Sequence, residues 1–284
     1  MNTVFIQSNN KQYLGALLAQ YALRKNSASP GEFDVKIINV DELEVFKNFR
    51  GKEYLRGGSM ITYDPLDLQS FTLSRFMPPE IMNYQGRAIV IDPDIFSISD
   101  VQNLFNIDLG SNAIAACRKK GSWDTSVMLL DCSKLKSWRI SDYLQKLQNG
   151  EVDYNVLISL AGEPNILELD RSWNSLDQLS TETKMLHTTN RLTQPWKTGL
   201  AIDFTRKPLG KIFGIIPKEL VLSVLGRYPY NYQPHPDKNI EKFFFKLVKS
   251  AIDDGKVSID FINKEISQGH IRKDFMEVIK LYSI

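Results

Sequence analysis

The sequence predicts an α/β protein with a mixed, mainly parallel sheet and flanking helices, followed by a small helical appendage. Short runs of β-branched and aromatic residues alternate with stretches of helical periodicity along residues 1–204. The first two of these runs enclose one amphipathic pattern, which is the order of a βαβ unit. After residue 204 the clearest patterns are helical. We therefore expect one domain over residues 1–204 and the appendage over residues 205–284.

The N-terminal βαβ unit suggests where a ligand would bind. Its predicted strands cover residues 4–6 (VFI) and 35–40 (VKIINV), and apolar residues within 14–22 recur at helical spacing between them. A right-handed crossover makes the two strands parallel. Because ligands of such sheets bind at the carboxyl ends of the strands, the polar loop at residues 7–10 (QSNN) is a candidate binding segment.

Later patterns extend the first domain and define the appendage. Further strands are predicted at residues 88–91, 113–117, 127–130, 166–169 and 184–186. Residues 45–70 lack a clean period and contain Gly57-Gly58, so we expect an irregular connection there. Two amphipathic patterns, at 240–252 and 271–282, predict the helices of the appendage. That region is expected to make acceptor, dimer or membrane-surface contacts, and the oligomeric state stays open.

Composition narrows the class of protein. With 43% hydrophobic and 24% charged residues, the 284-residue chain should fold compactly. Its formal charge of +2 is too balanced for a nucleic-acid surface built on net electrostatics. Cys117 and Cys132 lie in apolar runs and are expected to be buried thiols, which favours a reducing, cytoplasmic setting. No basic leader with an apolar core opens the sequence, and no apolar stretch approaches the roughly 20 residues that span a bilayer.

The start of the appendage has a basic and apolar sequence. Lys207, Lys211 and Lys218 alternate with aliphatic residues in this stretch. Such a pattern is compatible with peripheral attachment to the inner face of a membrane. A buried helix with an ordinary basic face explains it as well, so both interpretations stay open.

The strongest local motif is a strand that ends in two carboxylates. In AIVIDPDIF, Asp92 and Asp94 follow an apolar run and offer hard oxygen ligands of the kind that Mg²⁺ or Mn²⁺ binds. An Asp-x-Asp triplet arises by chance about once in a chain of this composition, and a solvated turn explains it equally well by itself. His187 also follows a short apolar run, so it can stand at the same edge, and an imidazole ligand would favour Mn²⁺.

The sequence also resembles a known family. The segment LSRFMPPEIMNYQGRAIVIDPDIFSISDVQNLF resembles the family-eight retaining glycosyltransferases, which have the GT-A fold. Four further blocks follow in the family's order: VFIQSNNKQYLGALL, WDTSVMLLD, DYNVLISL and HTTNRLTQPW. The resemblance covers residues 3–200. It implies metal-dependent transfer of a hexose from a UDP-sugar to a glycan, glycolipid or small acceptor, with Mn²⁺ or Mg²⁺ as cofactor.

The resemblance also implies roles at the nucleotide and the metal. Ile6, Ser8 and Asn9 would line the nucleoside pocket. Asp92 would touch both the ribose and the metal, and the remaining metal ligands would be Asp94 and His187. The metal would then bridge the two phosphates of the donor.

Other positions would contact the sugar. The resemblance implies that Arg75 meets the donor sugar or its phosphate and that Asp124 and Thr125 face the transferred sugar. Asp153 would lie near the anomeric carbon, where it could bind hydroxyl groups or stabilise positive charge. Arg75 could instead form a structural salt bridge, and Asp153 could instead be the N-cap of the following helix.

The sequence departs from the family beside the histidine. The family loop carries a glycine and then a lysine before Pro-Trp, where Asn190 and Gln194 stand here. Arg191 or Lys197 could supply the missing cation to the diphosphate. Tyr154 replaces the family's glutamine after Asp153, and Asp124 replaces an asparagine, which leaves the identity of the sugar open.

Two other classes of function remain as alternatives. A nucleotidyltransferase acting on a sugar phosphate could place acids at a strand end, but it would want a glycine-rich loop to hold the triphosphate, and QSNNKQYLG is poor in glycine. A non-catalytic binding protein on a degenerate transferase fold would account for the missing lysine near Gln194. The resemblance favours the transferase over both.

Overall fold

The computed structural model describes residues 2–204, 209–212 and 215–282. The chain divides into two compact units, Met1–His187 and Thr188–Ile284. Residues 188–204 therefore group with the C-terminal helices, whereas the sequence pattern suggested a boundary after residue 204. The first unit holds all the predicted strands of the sheet.

The elements of the first unit follow the predicted alternation. Its strands are β1 (Asn2–Ser8), β2 (Phe33–Asn39), β3 (Glu53–Arg56), β4 (Ser59–Thr62), β5 (Arg87–Ile91), β6 (Ile95–Ser97), β7 (Ile114–Lys119), β8 (Ser122–Asp131), β9 (Ile166–Leu169), β10 (Ser175–Leu176) and β11 (Met185–His187). Its α-helices are α1 (Tyr13–Lys25), α2 (Glu44–Lys47), α3 (Pro78–Ile81), α4 (Gln102–Phe105), α5 (Ile140–Gln148) and α6 (Tyr154–Ile158).

The main sheet has six strands in the order β2-β1-β5-β8-β7-β9. The pairs β1–β2, β1–β5 and β7–β9 are parallel, and β8 is antiparallel to both of its neighbours. Val4, Phe5 and Ile6 on β1 are all fully buried, as expected for a central strand that is covered on both faces. The predicted α/β class with a mainly parallel sheet is confirmed.

A second, three-stranded sheet has the order β10-β11-β6. The central strand β11 runs parallel to β10 and antiparallel to β6. In this register His187 lies opposite Ile95 on one side and opposite Leu176 on the other. The small sheet therefore joins the chain just after residue 94 to the chain around residue 187.

The expectation of an irregular connection over residues 45–70 is wrong for its central part. Strands β3 and β4 pair there as an antiparallel hairpin. Gly57 and Gly58 form its two-residue turn with φ values of +62° and +78°, a conformation that glycine adopts without a steric penalty. The pairing was hidden because these strands are short and all but one of their residues are exposed or half-buried, so they carry little hydrophobic alternation.

Helix α1 packs closely on the loop that carries the two aspartates. A Cβ atom built on Gly15 would lie 2.6 Å from the carbonyl oxygen of Pro93. That distance is a steric overlap with backbone, so a helical glycine is needed at the point of contact. The sequence of α1 thereby fixes the approach of the helix to the loop between Asp92 and Asp94.

The second unit contains the predicted C-terminal helices. Its elements are β12 (Lys211–Ile212), β13 (Ile216–Pro217), α7 (Lys218–Val224), α8 (Lys238–Asp253), α9 (Ile259–Ser267) and α10 (Phe275–Leu281). Phe244 of α8 stacks on Trp196 with 4.8 Å between the ring centroids, and both side chains are fully buried. Helices α8 and α10 pack together with their apolar stripes inward, as their periodicity predicts.

One stretch of the second unit is unlike the rest. Between residues 209 and 230, most large apolar side chains are exposed: Leu209, Ile215, Ile216, Leu220, Val224, Leu225 and Tyr230. We call the described residues of 209–230 the apolar segment. Lys207 belongs to the same predicted basic stretch but lies outside the described residues. In the part of the chain that the structure describes, none of the helices has the length and apolarity needed to cross a bilayer.

Candidate active site

The carboxyl ends of the parallel strands bring distant residues to one edge of the main sheet. Strands β1, β2 and β5 run side by side in the same direction, so Ser8, Asn39 and Ile91 end at that edge. The antiparallel β8 passes the same edge, and the amide of Asp92 donates to the carbonyl of Ser126 at 3.1 Å. The edge therefore joins the loop after β1, the loop after β5 and the first half of β8.

Asp92, Asp94 and His187 form a cluster with the composition of a metal site. One potential ligand atom from each lies within 4.8 Å of the other two. The Nε2 atom of His187 is 3.5 Å from Oδ1 of Asp94. All three side chains are buried, with relative exposures of 9%, 8% and 5%. The predicted triad is thus brought together, although 93 positions separate Asp94 from His187 in the sequence.

The protonation states of the cluster reflect its burial. Burial raises the pKa of Asp92 to about 6, even though Arg75 acts in the opposite direction. Burial lowers the pKa of His187, which favours the neutral imidazole. Neutral imidazole and ionised carboxylates are the forms that bind metal ions. A bound cation would compensate the charge of two buried carboxylates that lie next to each other.

The residues present fit a divalent cation. Two carboxylate oxygens and one imidazole nitrogen are a suitable donor set for Mn²⁺, and the carboxylates also suit Mg²⁺. Ligand atoms at about 2.1 Å from one octahedral ion are separated by roughly 3 to 4 Å, so small side-chain movements complete the set. The Oε1 atom of Gln7 is buried beside Asp92 and has no hydrogen-bond partner among the described residues. This orphan acceptor is a further sign that the edge is built to meet a polar ligand.

Arg75 connects the candidate metal-binding side chains to β8. Its Nε donates to the carbonyl of Thr72 at 2.8 Å, one terminal nitrogen donates to the hydroxyl of Thr125, and the other lies 3.2 Å from Oδ1 of Asp92. The same Asp92 oxygen accepts a hydrogen bond from Nε2 of Gln7 at 2.8 Å. Arg75 is only 5% exposed. The structural salt bridge considered from the sequence is therefore present, and its partner is a candidate metal ligand.

Asp124 and Thr125 lie on the same edge of the sheet. Burial raises the pKa of the Asp124 carboxyl, but hydrogen bonds from Ser126 and the electrostatic influence of His187 and Lys119 together leave the pKa below its ordinary value. Asp124 is therefore an anion at neutral pH. The Thr125 hydroxyl donates to the carbonyl of Ile158 at 2.6 Å, which links β8 to the end of α6.

The three residues expected at the nucleoside all lie at the end of β1. Ile6 is fully buried in the strand. The Ser8 hydroxyl donates to the carbonyl of Asn9 at 2.9 Å. The Asn9 amide donates to Ser70 Oγ at 2.9 Å and to the carbonyl of Leu68 at 3.1 Å. The hydrogen bonds of Ser8 and Asn9 therefore organise the loop that follows β1.

Asp153 is the N-cap of α6. Its Oδ1 accepts from the amide of Asn155 at 2.7 Å, and its Oδ2 accepts from the amide of Gly58 at 2.8 Å. Burial acts to raise the pKa of Asp153, but these backbone hydrogen bonds dominate and lower it. The carboxylate thus joins the β3–β4 hairpin to α6. The neighbouring Tyr154 is buried, and its hydroxyl lies 2.6 Å from Oγ1 of Thr72. Thr72 is also the residue whose carbonyl accepts the hydrogen bond from Nε of Arg75.

The two cations proposed for the diphosphate belong to the second unit. Arg191 is half-buried, and its guanidinium lies 4.7 Å from the centroid of the Phe204 ring. Lys197 is only 1% exposed, and its Nζ lies 3.3 Å from Oδ2 of Asp203. Within their unit the two cations therefore differ: one lies on an aromatic face, and the other is neutralised by a carboxylate.

Two residues that contribute to the cluster were not found from the sequence. Asn174 lies just before β10, and its Oδ1 is 2.8 Å from Nδ1 of His187. Gly15 supports the loop between the aspartates, as described above. Asn174 follows a tryptophan in an unremarkable polar stretch, RSWNS, and Gly15 stands within a helical pattern. Neither carries a local sequence signal, because each acts through a contact between distant segments.

The fold and the cluster together define an α/β protein with a candidate metal site at the carboxyl edge of its sheet. The model of glycosyl transferase family 8 matches residues 6–194. This match spans most of the chain and includes every member of the cluster, so the chain belongs to that family and is a glycosyltransferase. No functionally curated protein matches the sequence.

Several solved glycosyltransferases are similar to the chain. The galactosyltransferase LgtC, in complex with donor and acceptor sugar analogues, is 15% identical, with 69% of this chain and 89% of that chain covered and a TM-score of 0.45. GlyE of Streptococcus pneumoniae TIGR4, in its apo form, is 14% identical over 83% and 65%, with a TM-score of 0.49. Mouse xyloside xylosyltransferase 1 is 14% identical over 67% and 98%, with a TM-score of 0.42. At these scores, membership in the family rests on the family match.

Proposed function

We propose that this family-eight glycosyltransferase transfers a hexose from a UDP-sugar to a glycan, glycolipid or small-molecule acceptor, with retention of the anomeric configuration and with Mn²⁺ or Mg²⁺ as cofactor. The observation that carries the proposal is the buried cluster of Asp92, Asp94 and His187 at the sheet edge where α/β proteins bind ligands. Family membership supports glycosyl transfer and gives no support to the nucleotidyltransferase alternative. The identities of the donor, the metal and the acceptor are what this proposal adds to family membership.

The proposed chemistry is stabilisation of a departing diphosphate. A divalent cation held by Asp92, Asp94 and His187 would supply Lewis-acid stabilisation of the negative charge that develops on the leaving group. Gln7 and Arg75 both bond to Oδ1 of Asp92, so they hold that carboxylate in one orientation. A fixed ligand set does not have to reorganise as charge develops, which is the source of its catalytic advantage.

The proposed roles at the donor follow from position along the edge. Ile6, Ser8 and Asn9 would present the end of β1 to the nucleoside. Asp124 is a buried anion and could accept hydrogen bonds from sugar hydroxyl groups, with Thr125 beside it. Together these residues would line the donor from the nucleoside to the sugar, in the order that the family suggests.

The remaining proposed contacts lie at the reacting end of the donor. Arg75 keeps further N–H groups besides the three that are already bonded, and these could reach the donor sugar or its phosphate. Asp153 would stabilise positive charge near the anomeric carbon, in addition to its role as a helix cap. A carboxylate with a lowered pKa stays ionised throughout the physiological range, which suits that role.

Arg191 or Lys197 would supply the missing cation of the diphosphate clamp. Lys197 is buried and lies against Asp203 within the second unit. Arg191 is half-buried beside the Phe204 ring, and an arginine can bind two phosphate oxygens at once. We therefore expect Arg191→Ala to raise the KM for the donor, and Lys197→Ala to act through the stability of the second unit. Equal effects of both variants on KM, at unchanged stability, would remove the distinction.

The apolar segment is the proposed site of peripheral membrane contact. Val224 and Ile215 are 80% and 78% exposed, and Lys218 and Arg227 add positive charge to the same segment. Exposed aliphatic side chains next to basic ones are the features of an interfacial surface on anionic lipid. A glycolipid acceptor at the inner face of a membrane would be consistent with such an attachment.

The central test of the proposal is a panel of UDP-sugars. Hydrolysis and thermal shift would be measured for each donor with Mn²⁺, with Mg²⁺ and with chelator present. We expect one donor to stabilise the protein in the presence of the metal, by about 2.7 kcal/mol at a hundredfold excess over Kd. His187→Ala and Asp94→Asn should abolish the metal-dependent part. If no UDP-sugar is hydrolysed but UDP with Mn²⁺ still binds, the chain is a binding protein on a transferase fold.

A further inference from the structure

Strand β11 brings His187 between two different neighbours. On one side β11 pairs with β6, which begins directly after Asp94, and His187 lies opposite Ile95. On the other side β11 pairs with β10, which begins directly after Asn174. The three-stranded sheet therefore places a carboxylate on one side of the imidazole and an amide on the other. Two of these three residues belong to the candidate metal cluster, and Asn174 does not.

The two ring nitrogens of His187 have separate partners. Nε2 lies 3.5 Å from Oδ1 of Asp94, on the metal side, and Nδ1 lies 2.8 Å from Oδ1 of Asn174. With the amide oxygen of Asn174 facing the ring, as in this structure, Nδ1 is the donor of the contact, because an amide oxygen can only accept a hydrogen bond. In neutral imidazole the proton on Nδ1 leaves the Nε2 lone pair available. The contact with Asn174 therefore sets the tautomer that can ligate a cation at Nε2.

Asn174 is well suited to hold this geometry. Its side chain is fully buried, and a short 3₁₀ helix over Arg171–Asn174 leads into β10 and fixes the backbone. A hydrogen bond at a fully buried position is strengthened by its low-dielectric surroundings, and it is the contact that orients this amide, because Nδ2 of Asn174 has no hydrogen-bond partner among the described residues. Partners of this kind behind a metal-binding histidine commonly change metal affinity by about 10- to 100-fold when removed.

We propose that Asn174 is a positioning residue for the metal site: its side-chain oxygen fixes the Nδ1–H tautomer and the orientation of His187, so that Nε2 faces the cation beside Asp94. This inference rests on the proposed function only for the identity of the cation. The tautomer and its cause are properties of the protein without metal. Asn174 acts through His187 and does not touch the substrate.

The first test is a spectroscopic one on the metal-free protein. The chain has only three histidines, so ¹⁵N-labelled histidine gives three pairs of ring signals, and His187→Ala identifies the relevant pair. Above pH 7.5 we expect His187 as the Nδ1–H tautomer in the natural protein and loss of that tautomer in Asn174→Leu. His235 and His270 should be unchanged. An Nε2–H tautomer in the natural protein, or an unchanged Nδ1–H tautomer in Asn174→Leu, would overturn the proposal.

The second test is metal binding measured directly by titration of Mn²⁺ and detection of free ion by electron paramagnetic resonance. Asn174→Leu keeps the branched shape of the side chain and removes the acceptor, and should weaken Mn²⁺ binding by about 10- to 100-fold. Asn174→Asp keeps an acceptor on Nδ1 and should restore binding to within about threefold of the natural protein. Unchanged binding in Asn174→Leu, or equal loss in both variants, would contradict a positioning role.

A matched control separates this role from a general loss of stability. Leu23 is fully buried near the C-terminal end of α1, at the opposite end of that helix from Gly15. Leu23→Ala should cost comparable or greater stability and leave both the His187 tautomer and Mn²⁺ binding unchanged. If the natural protein binds no Mn²⁺ but has the expected tautomer, the proposed function fails and the role of Asn174 stands. If His187→Ala loses Mn²⁺ binding and Asn174→Leu keeps it, the reverse holds.

Discussion

The candidate active site and the apolar segment use their side chains in opposite ways. At the site, Asp92, Asp94, Arg75 and His187 are polar and buried, and close polar contacts join Arg75 to Asp92 and His187 to Asp94. In the apolar segment the side chains are hydrophobic and exposed. Burying charge is unfavourable unless it is paired, and exposing aliphatic surface is unfavourable unless something covers it. Both regions therefore carry a free-energy cost that function explains better than stability does.

The difference also shows which region is organised in advance. The site is held by strand pairing and by hydrogen bonds of 2.8 to 3.2 Å around Asp92 and His187. The apolar segment has short elements, β12, β13 and α7, and no residue of α7 is buried. A preformed site can select a small polar ligand, whereas an exposed hydrophobic surface gains its stability from contact with another surface.

The largest expected effect comes from replacing one of the three proposed metal-binding side chains. Asp94→Asn and His187→Ala should each lower kcat/KM by about 1,000-fold, which corresponds to roughly 4 kcal/mol of lost leaving-group stabilisation. Steady-state kinetics with the best donor of the panel measures this loss, and circular dichroism checks the fold. A variant that keeps more than a tenth of the natural activity would argue that the cluster is structural.

The next effect tests the support of the site by α1. Gly15→Ala should destabilise the protein by about 1 to 3 kcal/mol, because its methyl group overlaps the Pro93 carbonyl, and it should weaken Mn²⁺ binding by shifting the loop. At an exposed position inside a helix, Gly→Ala would stabilise the protein by about 1 kcal/mol, so the sign of the change in unfolding free energy is informative. Urea unfolding measures it.

Gly162→Ala is the matched control for that change, since nothing lies within 4 Å of the added methyl group. Its effect should stay within about 0.5 kcal/mol. A stabilised Gly15→Ala protein would show that α1 and the aspartate loop are less closely packed than the structure has them.

A smaller effect distinguishes the cap from the chemistry at Asp153. Asp153→Ala should cost about 1 kcal/mol at pH 7, because α6 loses its N-cap. The pKa of Asp153 is lower in the folded state than in the unfolded one, so its contribution is present above the unfolded pKa of about 3.9 and is lost as the pH falls through the folded value. The difference between the two proteins should therefore shrink towards pH 2.

Asp153→Asn separates the two roles of this residue. Asparagine is also a good N-cap, so most of the stability at pH 7 should remain while the charge is gone. If Asp153 stabilises positive charge at the anomeric carbon, activity should fall by at least about tenfold in this variant. Full activity with full stability would limit Asp153 to its structural role.

The smallest effect on stability is expected in the apolar segment. Val224→Ser should change the free energy of unfolding by less than about 0.5 kcal/mol, because the side chain is 80% exposed. Val248→Ala on α8, at a fully buried valine, should cost about 1 to 3 kcal/mol.

Membrane binding by the apolar segment is tested by flotation with lipid vesicles. The double variant Ile215→Ser/Val224→Ser should reduce flotation with anionic vesicles. Equal flotation with neutral and anionic vesicles, or no change in the variant, would contradict the membrane proposal.

Much of the first unit could be predicted from local patterns. The strands around residues 88–91 and 127–130 were predictable because buried strands of a covered sheet are continuous apolar runs. The hairpin of β3 and β4 was not predictable, since nearly all of its side chains are exposed or half-buried and its pairing depends on two glycines with positive φ. The sequence also showed that the histidine and the aspartates stand at strand ends, but not that those ends meet.

The sequence by itself determined the αβ alternation, the positions of Asp92 and Asp94 after a buried strand, and the amphipathic pattern of α8, because each depends on residues that are close together in the chain. Only the tertiary structure decided that β11 pairs with β6, that Asn174 stands behind His187, and that Gly15 meets Pro93. These contacts depend on the register and packing of segments that are distant in sequence. Strand pairing leaves no local signature of its partner, so the chemistry of the site could be suggested from the sequence and its geometry could not.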